Sequence, residues 1–404
     1  MKHIQGGVCA PQGFKASGVH CGVRKNKSKR DLAMILSEGP ASAAAVYTQN
    51  LVKGAPIYVT QRNIADGVAQ MAICNSGNAN TCNANGEEIA WEMCKLAGAA
   101  AGVAPENVIV ASTGVIGQPL PIEPIAAGVA PLFAALNENG STEAAEGIMT
   151  TDTRLKEVAV EFTAGGVTCK LGGIAKGSGM IHPNLATMLV FLTCDAAISP
   201  AMLKKALSDD VKDTFNMVSV DGDTSTNDMV CIMANGKAGN ALIEAEGDDY
   251  AAFCAALNEV TTTLCRMIAK DGEGASHLLT CIVNGGKTVK DAKLAAKSVV
   301  CSSLLKAAIF GADANWGRVL CALGYSGADI DVKKVDVSFR SAKGSISVCE
   351  MGSSVDFSEE IAKEILLEDE VEVLVTLRDG EASATAWGCD LTYDYVKING
   401  DYRT

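Results

Sequence analysis

Five residues in a row, Met188 to Leu192 (MLVFL), carry no polar side chain, and they follow directly on the glycine-rich stretch GGIAKGSGMIHPNLAT. An apolar run bounded by turn-forming residues reads as a buried strand, and a buried strand needs other layers of structure to cover it. At 404 residues the chain is long enough for two or three cores or for one large layered core. One residue in the stretch calls for an explanation. Thr187 stands where the polar loop meets the buried strand.

Elsewhere the first part of the chain alternates short apolar strands with helical stretches. AAVYT (44–48), IYVTQ (57–61) and NVIVAST (107–113) read as strands, and EEIAWEMCKLAGAAAG (87–102) as an alanine-rich helix. Ser199-Pro200 supplies an N-cap and a first-turn proline for a helix through AMLKKALSDDVKDTF. The last hundred residues turn to alternating strands, VDVSF, SISV and VEVLVTL, with SEEIAKEILL as a capped helix between them. A smaller C-terminal α+β lobe is expected from about residue 286, after Gly285-Gly286. YVKIN (395–399) reads as a strand leading into the tail.

Charge narrows the partners. With a net charge of −13 and a pI near 4.9, the chain lacks the positive surface that nucleic-acid binders concentrate, so small molecules are the expected ligands. The single basic run, RKNKSKR (24–30), reads as a solvated loop between two strands. Fifteen cysteines with no C-x-x-C pair suggest neither a disulfide framework nor a zinc ribbon, and fit buried thiols in a reducing compartment. MKHIQGGVCAPQGF does not read as a signal peptide, and the longest uncharged stretch near Thr187 is interrupted by His182, Pro183 and Asn184. A soluble, cytoplasmic protein is expected, with no membrane partner.

Common catalytic signatures fail in turn. A phosphate loop needs its lysine after the second glycine, whereas Lys176 precedes Gly177. No G-x-S-x-G elbow or H-E-x-x-H helix occurs, and four histidines make a histidine-rich metal site improbable. The acidic segment DGDTSTND (221–228) lacks the glycine and glutamate of a calcium loop and reads as a structural turn near a site. Neither a metal nor an organic cofactor is expected. Threonine remains as a nucleophile: its hydroxyl is weak and needs a base, which the α-amine of the same residue can supply if the peptide bond before Thr187 is cut. A threonine that merely opens a strand, its hydroxyl satisfied, is the plainer alternative.

The segment GGIAKGSGMIHPNLATML resembles the self-cleavage segment of ornithine acetyltransferase, the glutamate N-acetyltransferase family of arginine biosynthesis. Similar segments run along the whole chain in family order: APQGFKASGV, NSGNAN, STGVIG, MTTDT, VDGDTSTND, KDGEGA, NWGR and KINGDYRT. Small departures occur at GASHLL, where a lysine is expected near His277, and at Ala314, where proline is usual. The resemblance implies a layered α-β-β-α sandwich, an α/β fold of the self-processing aminopeptidase kind. Cleavage would fall between Ala186 and Thr187, giving an α chain (1–186) and a β chain (187–404) that stay interwoven as a heterotetramer of two of each.

The implied reaction moves an acetyl group from N2-acetylornithine to glutamate through an acetyl-Thr187 intermediate. Whether acetyl-CoA also serves as a donor is left open. By resemblance Thr187 is the nucleophile, Thr113 and Gly114 form the oxyanion hole, and Thr150, Lys176, Thr187, Glu273, Asn399 and Thr404 bind substrate. The two amino-acid substrates share an α-carboxylate, a natural partner for Lys176. Two other readings use the same residues differently. One is a self-processing aminopeptidase or amidase in which water replaces glutamate, and the other an uncleaved small-molecule binding protein.

Overall fold

The structure, a computed structural model, describes residues 1–182 and 188–401. In chain order the first part contributes β1 (Lys2–Ile4), β2 (Phe14–Val19), β3 (Leu32–Tyr47), α1 (Ala55–Asn63), β4 (Val68–Asn78), α2 (Gly86–Ala101), β5 (Val108–Val115), α3 (Ile122–Ala134), α4 (Ser141–Ile148), β6 (Lys156–Ala164) and β7 (Val167–Lys176). Then come β8 (Leu189–Cys194), α5 (Pro200–Asp210), β9 (Val218–Ser219), β10 (Met229–Ala234), α6 (Asp248–Lys270), β11 (Leu278–Gly286), α7 (Val289–Cys301), α8 (Ser303–Phe310) and α9 (Trp316–Gly324). The chain ends with β12 (Asp336–Ser341), β13 (Gly344–Glu350), β14 (Ser353–Ser354), α10 (Glu359–Leu366), β15 (Glu370–Thr376), β16 (Ala382–Cys389) and α11 (Tyr393–Asp401).

The apolar run forms β8, every residue of which is buried. It lies inside a mixed sheet of order β1-β6-β7-β8-β10-β3-β4-β5, with β2 added against β3. Strand β3 pairs with β2 and β4 through its first half and with β10 through its second. Between Leu36 and Ala41 its register with β4 shifts, and an irregularity of that kind lets a strand bend. The two halves of the sheet thereby face each other. Ala33, Ile35, Ala72, Cys74 and Ile109 of one half share a core with Ile174, Leu189, Phe191, Met229 and Cys231 of the other.

Strand alternation sends the intervening side chains outward. Met34, Met71, Ile73 and Val110 pack on Met93 and Ala97 of α2 and Ile125 and Leu132 of α3. On the opposite side Val190, Leu192, Val230 and Ile232 join Leu203 and Leu207 of α5 and Phe253 and Leu257 of α6. The result is the expected α-β-β-α layering. Beyond α6 the same core continues into a second sheet, β14-β13-β12-β15-β11-β16-β9, covered by α7. That sheet draws on β9 and β11, so it begins in sequence before residue 286.

Two local readings are corrected. Residues 57–61 lie in helix α1, not a strand: Pro56 fits the first turn, and the buried set Pro56, Ile57, Val59, Thr60 and Asn63 follows helical spacing. Residues 395–399 lie in helix α11, where Thr392 Oγ1 accepts the Asp394 N–H at 3.2 Å in a cap. The basic run does form an exposed loop between β2 and β3. Most of the cysteines are buried and all fifteen are free thiols; Cys82 and Cys321 are exposed. No helix among the described residues is long and apolar enough to cross a membrane.

Phe191 lies between the two halves of the folded-over sheet. Phe191→Ala should lower stability by about 3–5 kcal/mol, read as a lower urea midpoint. Leu51→Ala, at a 95% exposed position, should change it by under ~0.5 kcal/mol.

Candidate active site

Where β5 and β7 end, both sequence-predicted oxyanion residues and Lys176 come to one place. Thr113, Gly114, Thr150, Lys176, Glu273 and Asn399 all line a single cavity of about 300 Å3. Ala186, Thr187 and Thr404 lie outside the described residues. Met188, which follows Thr187, is buried beside the strand end that carries Lys176: Lys176 pairs with Leu189, and the Met229 N–H donates to the Met188 carbonyl at 2.9 Å.

The Thr-Gly turn can exist only with glycine. Gly114 has φ 129°, and a Cβ there would lie 2.4 Å from the Gly77 carbonyl carbon on β4, which runs parallel to β5. A web of amides holds this turn. Asn227 donates to the carbonyls of Ala79 (2.6 Å) and Ser112 (3.0 Å), and its Oδ1 accepts from Thr81 and Thr226 hydroxyls, both at 2.6 Å. Ser112 in turn donates to Asn75 at 2.5 Å. The wall formed by Ser225, Thr226 and Asn227 was not assigned a role from sequence. Its signal was present in the acidic segment, which reads as a turn near a site.

That segment also secures the loop before the strand. Asp221 accepts the N–H groups of Met180 (2.6 Å) and Ile181 (2.9 Å), while the Thr224 hydroxyl donates to the His182 carbonyl at 2.7 Å. On the other side of the cavity Glu273 Oε2 accepts from the Asn399 amide at 2.7 Å. The Glu273 carboxyl carbon would stand 2.4 Å from a Cβ on Gly179, which explains a glycine there.

The electrostatics are uneven. Lys176 is the cavity's cation and makes no hydrogen bond or ion pair among the described residues. Asp228, 3% exposed, has an Oδ2 without a hydrogen-bond partner among the described residues, and burial pushes its carboxyl well above the usual range. His182 shares Nδ1 with Ser219 Oγ at 3.1 Å and the Cys301 thiol at 3.6 Å. Burial first, and then the charge of Lys297, lowers its pKa to about 4.

The fold is α/β, and its cavity has a largely polar wall that includes the Lys176 ammonium and the Gly114 turn. The ArgJ family model matches residues 15–404. The arginine biosynthesis bifunctional protein ArgJ of Caldanaerobacter subterraneus subsp. tengcongensis is 50% identical over 405 residues, covering 100% of both chains. Its counterpart ArgJ 1 of Clostridium acetobutylicum is 50% identical over 97% of this chain and 96% of its own. The crystal structure of the Bacillus halodurans protein of the same name is 45% identical, with a TM-score of 0.50. It matches 53% of this chain and 98% of that chain. The chain belongs to the ArgJ family and is an enzyme of that family.

His182 provides a pH test. It stays neutral when folded down to about 4 but protonates near 6.5 once unfolded, so between these values the unfolded chain holds the extra proton and stability rises with pH. His182→Asn should flatten this rise in urea midpoints measured between about pH 4.5 and 7, and leave the difference between about pH 7 and 8 unchanged.

Proposed function

We propose that this chain is the acetyltransferase of arginine biosynthesis that transfers acetyl from N2-acetylornithine to glutamate through Thr187, after cleavage between Ala186 and Thr187. One observation carries the reading: six residues assigned from resemblance, drawn from five separate parts of the sequence, line one cavity that adjoins the start of β8. The matched share of the Bacillus halodurans chain supports the cut. A solved chain covered over 98% of its length by 53% of this one has the size of the fragment that begins at Thr187.

The chemistry divides into two acyl transfers. Cleavage frees the Thr187 α-amine, which takes the hydroxyl proton as Oγ attacks the acetyl carbonyl of acetylornithine. Negative charge develops on the carbonyl oxygen, facing the Thr113 hydroxyl and the Gly114 N–H. Collapse breaks the amide C–N bond, the α-amine returns its proton to the departing nitrogen, and ornithine leaves an acetyl ester on Thr187. The glutamate amine then attacks this ester, restoring the hydroxyl and releasing N-acetylglutamate. Lys176 meets the α-carboxylate common to both substrates, while Thr150, Glu273, Asn399 and Thr404 contact the remainder. The relatives' designation as bifunctional fits acetyl-CoA acetylating the same threonine. The same reading carries a cytoplasmic heterotetramer of two α (1–186) and two β (187–404) chains.

Purified protein should resolve by mass into pieces of 186 and 218 residues, and Thr187→Ala should stay whole. With glutamate withheld, acetylornithine should release about one equivalent of ornithine per site and then stall, leaving acetyl on the peptide beginning at Thr187. Continued turnover without glutamate would mean a hydrolase instead. For the oxyanion donor, Thr113→Ala should lower kcat by roughly 10²-fold with little movement of KM; a change confined to KM would reassign Thr113 to substrate binding.

A further inference from the structure

Beneath the cavity lies a buried ion cluster with no part in the chemistry above. Lys156, at the start of β6, is 1% exposed and spends its ammonium on Asp152 Oδ1 (2.8 Å), Asp271 Oδ2 (2.5 Å) and the Arg154 carbonyl (3.3 Å). The two carboxylates reach different parts of the cavity wall. Asp152 accepts the N–H of Thr150 at 2.9 Å and of Gly177 at 2.7 Å, so it braces a lining residue and the neighbour of Lys176. Asp271 accepts the Thr153 and Arg154 N–H groups. Its own carbonyl receives the Ser178 hydroxyl at 2.7 Å, and the Glu273 N–H donates to the Ser178 carbonyl at 3.0 Å.

The charges make a puzzle. Asp152 is fully buried, yet its carboxyl is held well below the usual range: burial opposes the charge, and the nearby ammonium groups of Lys156 and Lys176 outweigh it. Two cations therefore lie near one carboxylate, Lys156 in contact with it and Lys176 one residue before Gly177, whose N–H that carboxylate accepts. Lys156 makes the ion pair, and Lys176 makes none among the described residues. A buried ammonium next to a carboxylate lacking any other counter-ion would be drawn into a pair with it.

We propose that Lys156 is a positioning residue that occupies Asp152 and so leaves the Lys176 ammonium for the substrate's carboxylate. This rests on the reading of Lys176 given under the proposed function. Lys156 touches no substrate. It acts by removing a competitor, and its loss is felt equally by both amino-acid substrates because they share the carboxylate.

Two double variants separate this role from a merely structural one. Both remove Lys156 and one carboxylate, and so have the same net charge. In Lys156→Met/Asp271→Asn, Asp152 keeps its charge and captures Lys176; KM for acetylornithine and for glutamate should both rise about tenfold or more by a common factor, with kcat held within about threefold. In Lys156→Met/Asp152→Asn the carboxylate that would capture Lys176 is gone, Asp271 staying on the Thr153 and Arg154 N–H groups, and both KM values should lie within about threefold of wild type. Equal KM values in the two variants, both folded by thermal melts, would overturn the proposal. If either fails to fold, Asp152→Asn alone decides. Both KM values within about threefold of wild type support the proposal, and a rise beyond about tenfold means that Asp152 itself holds Lys176 in place. Wild-type mass spectra read out the underlying mechanism separately. An acetylated Thr187 peptide in wild type with unmoved KM values in the first double variant would sink this inference and leave the proposed function intact.

Discussion

The position of β8 is the constraint on which the rest depends. Its six residues pair antiparallel with β7 on one edge and parallel with β10 on the other, and both of its faces are covered. A strand with no exposed edge or face has little freedom of register, because a slip of one residue would exchange Leu189 and Phe191 with Val190 and Leu192 between two different cores. What precedes β8 in sequence is therefore delivered to a fixed place at the sheet's end. Lys176 at the end of β7 and Asn227-Asp228 ahead of β10 arrive beside it through the same ladders. Strand register fixes where β5, β7 and β8 end, and the loops beyond those ends supply most of the cavity wall.

Charge is managed locally within an acidic protein. With a net charge of −13, the surface does little to attract an anion, and under the proposed function recognition of the substrate's carboxylate falls to one buried ammonium whose field is only weakly screened. Of the carboxylates nearby, Asp152 is held by the Lys156 ammonium and two backbone N–H groups, and burial pushes Asp228 toward its neutral form.

Much of this was legible in the sequence, and what was not has physical reasons. The buried run, the alanine-rich helix and the capped C-terminal helix declared themselves through periodicity and caps, and the quoted motifs pointed to six residues that meet in one cavity. Helices α1 and α11 were misread because Ile57, Tyr58 and Val59, like Tyr395, Val396 and Ile398, have strand-forming side chains; a first-turn proline and a threonine cap outweighed that propensity. Lys156 gave no signal of its own, and Asn227 only that of the acidic turn in which it stands. Asn227 reaches Ala79, 148 residues away, and Lys156 joins Asp152, four residues away, to Asp271, 115 away, so only the assembled sheet brings their chemistry together.

Strand order has a consequence for how a cut chain lives. Between β7 and β3, which precede residue 187, lie β8 and β10, which follow it. A break at 186–187 therefore leaves the second piece inserted as the middle of a sheet whose two flanks belong to the first. Pulling the pieces apart would open the β7–β8 and β10–β3 ladders and expose two hydrophobic cores at once, so a nicked protein would hold together without any covalent link. Going back is another matter. An intact chain refolds by a unimolecular search, whereas two separated pieces must first collide, each with unpaired strand edges that invite aggregation. Self-cleavage would thus turn a reversible fold into one whose persistence is a matter of unfolding rate, with assembly completed once, before the cut.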